Sequence, residues 1–169
     1  MPTIHQLRET LRSTLRDHAG TLVLLPLAVY FAWTKEAFFW LDAINLLIHE
    51  AGHTFMRPFG RFIMFAGGTI FQIGVPLIFV WSAVRFGNAF GAQVSLLWTG
   101  QNCIHVSVYA GDAQTRHLPL ITNDPMTHDW WNMLRMVDLL PYDGIVAGLF
   151  YTFGLVCFAV IAWVPTRLW

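Results

Sequence analysis

Two histidines and a glutamate in a single pentapeptide are the residues of this chain with the clearest chemical meaning. His49-Glu50-Ala51-Gly52-His53 is an HExxH motif, and an apolar stretch precedes it. On a helix, residues four apart lie one turn above each other, so His49 and His53 can offer two imidazoles to one Zn²⁺. Glu50 lies beside them and could take the proton of the attacking water. Because ionisable side chains are costly in hydrocarbon, the cluster predicts a functional site.

A zinc site of this kind needs a third protein ligand and keeps its fourth position open. Asp112 is the first candidate, because it ends an apolar segment at about the depth of the histidines, and a carboxylate in that place favours a cation. Tyr109, one turn earlier, could orient it. The alternative is that Asp112 only caps a helix or pairs with Arg116.

His128 is the second candidate for the third ligand, with Asp129 as its orienting partner. The alternative for His128 is an ordinary histidine of a surface loop. Asp143, at the start of the last apolar segment, can reach the same region. No role is assigned to the remaining histidines, which lack such neighbours in the sequence: His5, His18, His105 and His117.

The composition is that of an integral membrane protein. Of 169 residues, 56% are hydrophobic and 12% are charged, and the mean hydropathy is positive, whereas soluble domains carry about 25% charged residues. The net charge is zero and there is no basic tract, so nothing indicates nucleic-acid binding. Cys103 and Cys157 both lie in apolar segments, which favours buried hydrophobic roles over a disulfide or a cysteine zinc site.

The chain is predicted to be a single all-α membrane-embedded domain, a polytopic bundle of about five transmembrane helices, since a span needs roughly 20 mostly apolar residues. The predicted spans are 19–33, 37–56, 62–86, 90–110 and 145–164, with a polar loop at 112–142. No cleavable signal peptide is evident. Residues 1–18 predict an amphipathic interfacial helix, or alternatively a plain solvated one, because arginines stand opposite Leu7, Leu11 and Leu15.

The basic residues predict the orientation of this bundle, since cytoplasmic loops are enriched in Lys and Arg. With five spans, one side holds Lys35, Arg85 and Arg167. The other side holds Arg8, Arg12, Arg16, Arg57, Arg61, Arg116 and Arg135. We therefore expect an inner or plasma membrane protein with its amino terminus inside, a cytoplasmic 112–142 loop, and a metal site that opens towards the cytoplasm.

The HExxH motif and the residues after it resemble the site-2 protease family of intramembrane zinc metalloproteases. The resemblance is carried by the motif, by Phe59-Gly60 and by Phe65-Ala66-Gly67-Gly68. In that family the third ligand is an Asp in a Pro-containing motif that ends in Asp-Gly. Leu139-Leu140-Pro141-Tyr142-Asp143-Gly144 is similar but shorter and lacks the usual Asn, so the resemblance implies Asp143 as the ligand. The match covers residues 44–70 and, less closely, 138–144.

The resemblance implies a zinc metalloprotease that hydrolyses peptide bonds of membrane proteins near the cytoplasmic face, with Glu50 as general base. A substrate helix must unwind first, because membrane helices hide their amides. An extended segment at 61–68 could accept it by strand addition, with Gly67 and Gly68 allowing close approach. The alternative for the two glycines is close helix packing.

Three amides in the apolar segments could also bind a substrate backbone or stabilise an oxyanion: Gln72, Gln101 and Asn102. Interhelical hydrogen bonding is the alternative for them. The expected partners are the lipid bilayer and a membrane-protein substrate or partner subunit. Two other functions are left open: a non-catalytic metal-binding subunit or scaffold, and a metallohydrolase acting on lipid. Glu50 argues against the scaffold, whereas the small size of the chain argues for it or for dependence on a partner.

Overall fold

A computed structural model describes residues 3–35 and 39–164, and these residues form helices joined by short turns and one longer loop. The helices are α1 (Ile4–Trp33), α2 (Trp40–Met56), α3 (Arg61–Arg85), α4 (Ala89–Gly111), α5 (Asp129–Met136) and α6 (Asp143–Trp163). Single 3₁₀ turns lie at Arg57–Phe59, Pro125–Thr127 and Leu140–Tyr142. No strand occurs among the described residues, and the all-α class is confirmed.

Within the described residues, two helical stretches are long and apolar enough to cross a membrane. They are Arg61–Arg85 and Leu140–Trp163, with mean hydropathies of 2.0 and 2.4, and His18–Trp33 is a shorter apolar helix. The number is below the five predicted from the sequence, for a physical reason. α2 has only 17 residues and carries the HExxH motif, and α4 contains the buried amides of Gln93, Gln101 and Asn102.

The first helix is continuous where the sequence predicted an interfacial helix followed by a separate span. It begins with a capping box, in which the Gln6 backbone N–H donates to Thr3 Oγ1 (3.3 Å) and the Thr3 N–H donates to Gln6 Oε1 (2.8 Å). Pro26 lies inside the helix without ending it. The amphipathic prediction falls on side chains outside those that the structure describes: Leu7, Leu11 and Leu15.

α4 is the central helix, because α1, α3 and α6 all pack against it. Its contact with α6 is close: a Cβ on Gly100 would lie 2.3 Å from the Phe158 ring. Gln93 ties the same helix to both neighbours, since its Nε2 donates to Thr21 Oγ1 (2.8 Å) and to the Ile161 carbonyl (2.9 Å). These contacts hold α4 in the middle of the bundle, and the 112–142 segment begins at its carboxyl end.

α2 and α3 pack backbone against backbone through glycines. A Cβ on Gly52 would lie 2.1 Å from the Gly67 carbonyl oxygen, so only a glycine fits there. The sharp turn between these helices contains Gly60 with φ +97, a left-handed conformation that glycine adopts without strain. The extended segment predicted at 61–68 is wrong, because residues 61–85 are helical; close helix packing, the alternative for the glycine pair, is observed.

The 112–142 segment is more ordered than the polar loop predicted from the sequence. It contains α5, whose N-cap is His128 and whose first residue is Asp129. α5 packs against α3. This packing brings the start of α5 to the end of α2 that carries the HExxH motif.

Candidate metal centre

Three ligand atoms from two helices converge on one point. Nε2 of His49 and Nε2 of His53 lie 3.0 and 3.3 Å from the same Oδ2 of Asp129. The histidines are on successive turns of α2, and their ring centres are 4.8 Å apart. Ligands about 2.0–2.1 Å from a tetrahedral zinc ion are roughly 3.3 Å from each other. The spacing of the three atoms therefore fits a single metal ion.

The motif residues themselves also form a metal-binding group. One ligand atom each from His49, Glu50 and His53 lies within 4.8 Å of the others, so this group could hold a metal ion. The sequence predicted a metal at the two histidines, with Glu50 as the general base and not as a ligand. His49 is buried, His53 is half-buried and Glu50 is exposed. The centre is thus closed on the Asp129 side and open on the Glu50 side.

The outer nitrogens of both imidazoles have acceptors, and this fixes which nitrogen faces the centre. Nδ1 of His53 is 2.8 Å from the Met64 carbonyl oxygen, and Nδ1 of His49 is 2.9 Å from Gln72 Oε1. In a neutral ring with Nδ1–H donating outwards, Nε2 presents its lone pair to the centre. Two such nitrogens and the Asp129 carboxylate are all electron-pair donors, and they repel at 3.0–3.3 Å unless a cation or a proton lies between them.

Tyr109 of α4 holds the Asp129 carboxylate in place. Its hydroxyl donates to Asp129 Oδ2 (3.1 Å) and accepts the Asp129 backbone N–H (2.9 Å). Its ring packs between His49 and His128, with centre-to-centre distances of 6.1 and 4.3 Å. The sequence suggested that Tyr109 could orient Asp112; in the structure it orients Asp129 instead.

The structure uses Asp112, the first candidate for the third ligand, to organise the loop after α4. Its carboxylate accepts hydrogen bonds from Thr115 Oγ1 (2.5 Å) and from the backbone N–H groups of His117 and Leu118 (2.9 Å each). Burial favours the neutral acid, but these hydrogen bonds outweigh it and hold the pKa of Asp112 below its usual value. The remaining near neighbour is His128, whose Nε2 lies 3.5 Å from Asp112 Oδ2. The position of Asp112 at the end of α4 and its hydrogen bonds fit the alternative that it only caps this helix.

The structure places His128 beside the centre and not in it. The side chain is fully buried, so the alternative of a surface loop histidine is wrong. Nδ1 accepts the Trp131 backbone N–H (3.2 Å) and so caps α5. Burial lowers the pKa of His128, in spite of the nearby carboxylates. The neutral ring sets the start of α5 and hence the position of Asp129.

Asp143, the ligand implied by the family resemblance, binds Gln114 instead. Its two oxygens accept hydrogen bonds from the Gln114 backbone N–H (3.1 Å) and Nε2 (2.8 Å), and Oδ1 also accepts the Gly144 N–H (2.7 Å). These contacts join the beginning of α6 to the segment that follows α4. None of them involves the histidine pair.

The four residues predicted to bind substrate have structural contacts. Asn102 is fully buried, and its Nδ2 donates to Asn45 Oδ1 (3.2 Å) and the Trp98 carbonyl (3.0 Å), which matches the interhelical alternative. Gln72 orients His49. Gly68 makes room for the same histidine, since a Cβ there would lie 2.4 Å from His49 Nε2. Gly67 packs against α2, as described above.

Asp129, whose carboxylate contacts both histidines, was expected from the sequence only as a partner of His128. One local signal could have found it. The 3₁₀ turn that starts at Pro125 is followed by an Asp in the first turn of a helix, where the helix dipole favours a negative charge. That signal predicts a well-fixed carboxylate, although not its partners.

No family model, curated protein or solved structure matches this chain. Nothing in these comparisons identifies a relative among the site-2 proteases. The metal centre is indicated by geometry alone: two oriented imidazoles and one hydrogen-bonded carboxylate meet at the spacing of metal ligands.

Proposed function

We propose that the protein is a membrane-embedded, zinc-dependent hydrolase that cleaves peptide bonds, distantly similar to the site-2 proteases. His49, His53 and Asp129 are its metal ligands and Glu50 is its general base. The observation that carries the proposal is the meeting of two Nε2 atoms and Asp129 Oδ2, with both Nδ1 atoms already bonded outwards.

The donor set fits zinc. Two neutral imidazoles and one carboxylate are borderline and hard ligands, and catalytic zinc sites use three protein ligands with one position left open. A bound zinc ion would polarise the scissile carbonyl and make a water acidic enough to react near neutral pH. The metal-binding group contains no sulfur ligand, and Cys103 and Cys157 are buried free cysteines.

Glu50 is positioned to move a proton. It follows the first ligand on α2, has an oxygen within 4.8 Å of a ring nitrogen of each histidine, and is exposed. From there it can accept a proton from the attacking water and return it to the leaving amine. A metal site with only a structural role has no need of a base in that place.

The membrane setting of the proposal is supported by the two candidate spans and by outward-facing apolar residues. Trp40 and Leu47 of α2 are 65% and 72% exposed. Such side chains on a helix that also carries the metal ligands are costly in water and favourable in lipid. We propose a bundle of about five spans in an inner or plasma membrane, with the amino terminus and the metal centre on the cytoplasmic side and the substrate drawn from membrane proteins.

A trapping experiment tests the catalytic claim. Membrane proteins that co-purify with the zinc-loaded Glu50→Gln variant are identified and then incubated with wild-type protein in detergent. We expect the variant to keep its zinc, because Glu50 is not among the proposed ligands, while new peptide termini form at least about 100-fold more slowly than with the wild type. Equal cleavage by both proteins, or no cleavage by the zinc-loaded wild type, would contradict a protease.

A further inference from the structure

A cavity of about 340 Å³ lies beside the metal centre, between α2, α4 and the segment that follows α4. Its size is at the lower end of the range for ligand pockets, about 300–1,000 Å³. Its lining includes His49 and Gln72 together with Asp42 and His105. Its walls are mostly apolar and include side chains of residues 118–121. A ligand that fills this cavity therefore contacts both His49 and His105.

Asp42 and His105 form an ordered pair across the cavity wall. Nδ1 of His105 on α4 lies 3.3 Å from Asp42 Oδ1 on α2. The carboxylate is held by further donors, namely the Phe39 backbone N–H (2.6 Å), Asn45 Nδ2 (3.3 Å) and Gln101 Nε2. The sequence offered no reason to assign His105 a role, because its partner is on another helix.

This pairing decides what His105 offers to a ligand. A carboxylate surrounded by donors accepts Nδ1–H, and this leaves the lone pair of Nε2 free to accept a hydrogen bond. In the part of the chain that the structure describes, Nε2 has no hydrogen-bond partner, and a quarter of the side chain is exposed. The other charged side chain of the lining, Lys35, has its ammonium 4.2 Å above the Tyr151 ring. His105 thus supplies a free acceptor in a largely apolar cavity.

Asp42 and His49 are two turns apart on α2, which is about 10 Å along the helix axis. An extended peptide advances about 3.3 Å per residue, so about three residues cover this distance. We propose that the cavity binds an apolar, extended segment of the substrate, and that His105 Nε2 accepts a hydrogen bond from a donor about three residues from the scissile bond. The inference rests on the proposed hydrolase and adds its substrate preference.

Peptide hydroxamates test this preference without any need for turnover, because the hydroxamate binds the metal and so fixes the register of the peptide. The probes are apolar Leu/Val peptides ending in a hydroxamate, with Ser, Ala or Val at the third residue, together with an alkyl hydroxamate of the same length. Dissociation constants are measured for zinc-loaded wild type, for His105→Leu and for the matched control His117→Leu, whose side chain is exposed outside the cavity.

We expect the Ser peptide to bind wild type and His117→Leu about tenfold more tightly than the Ala or Val peptide, the worth of one hydrogen bond. His105→Leu should lose this preference while it keeps its zinc content and its affinity for the Val peptide. The same preference in His105→Leu as in wild type, no preference in wild type, or tighter binding of the alkyl hydroxamate than of every peptide would overturn the inference while the metal centre stands. If no hydroxamate binds the zinc-loaded protein, the accessible metal centre of the proposed function fails as well.

Discussion

His49 Nε2 lies 3.0 Å from Asp129 Oδ2, although the two residues are on different helices and 80 positions apart in the chain. The contact exists because α5 packs against α3 and because Tyr109 binds both the carboxylate and the backbone N–H of Asp129. Glycines at positions 52, 67 and 68 bring α3 close enough to α2 for α5 to reach the histidines. Each of these supports can be removed separately.

Replacing Tyr109 by Phe removes the hydroxyl that orients the proposed third ligand and leaves the ring in place. We expect zinc affinity to fall about 10–100-fold, the usual effect of losing a partner of a metal ligand. Tyr30→Phe is the control, because Tyr30 is a half-exposed residue of α1. A competition titration with a zinc chelator measures both variants. Unchanged affinity in Tyr109→Phe would show that Asp129 is positioned without it.

Two glycines of α3 give a matched pair of substitutions. A Cβ on Gly68 would lie 2.4 Å from His49 Nε2, whereas a Cβ on Gly74 meets nothing within 4 Å. Gly68→Ala should displace the imidazole and lower zinc affinity at least tenfold. Gly74→Ala should leave zinc affinity unchanged and raise the free energy of unfolding by about 0.5–1 kcal/mol, because alanine favours a helix interior. Equal zinc affinity in the two variants would mean that His49 does not depend on this close contact.

Asp112 predicts a pH-dependent contribution to stability. Its pKa is lowered in the folded state, so the ionised carboxylate stabilises the fold at neutral pH. This contribution is lost as the pH falls through the folded-state pKa, well into the acid range. Asp112→Asn should reduce the free energy of unfolding by about 1–3 kcal/mol at pH 7, and the difference from wild type should shrink below about pH 4.

Denaturant unfolding in detergent at pH 7 and pH 3 measures this difference. Asp138→Asn serves as the control, since Asp138 is exposed and should change the free energy of unfolding little at either pH. A difference between Asp112→Asn and wild type that is as large at pH 3 as at pH 7 would contradict the assigned hydrogen bonds.

The helical class and the histidine pair were predictable because they depend on local spacing. Residues four apart on one helix share a face whatever the rest of the chain does, so His49 and His53 had to lie together once α2 formed. The apolar segments likewise predicted five long helices at nearly the right places. The number of these helices that span a membrane was harder to predict. The sequence shows polar residues in α2 and α4, but only the structure shows that they hydrogen-bond to each other.

The carboxylate that meets the histidine pair could not be chosen from the sequence. Asp112, Asp129 and Asp143 are chemically identical side chains, and the predicted spans place all three at the same end of the bundle. The choice depends on which backbone and side-chain donors each carboxylate meets: Leu118 for Asp112, Gln114 for Asp143, and Tyr109 for Asp129. The contacts of Asp129 and Asp143 join residues 20 and 29 positions apart in the chain. The family resemblance implied Asp143 because a resemblance is based on a sequence motif, and a motif does not show which side chains are in contact.

The most direct test of the metal centre compares two carboxylates. Zinc content and zinc affinity are measured for wild type, Asp129→Asn and Asp143→Asn, with the folded state of each checked by circular dichroism. We predict about one zinc per chain in wild type and Asp143→Asn, and at least a 100-fold loss of affinity in Asp129→Asn, because a ligand is removed. Full zinc affinity in Asp129→Asn, or its loss only in Asp143→Asn, would contradict the centre formed by His49, His53 and Asp129.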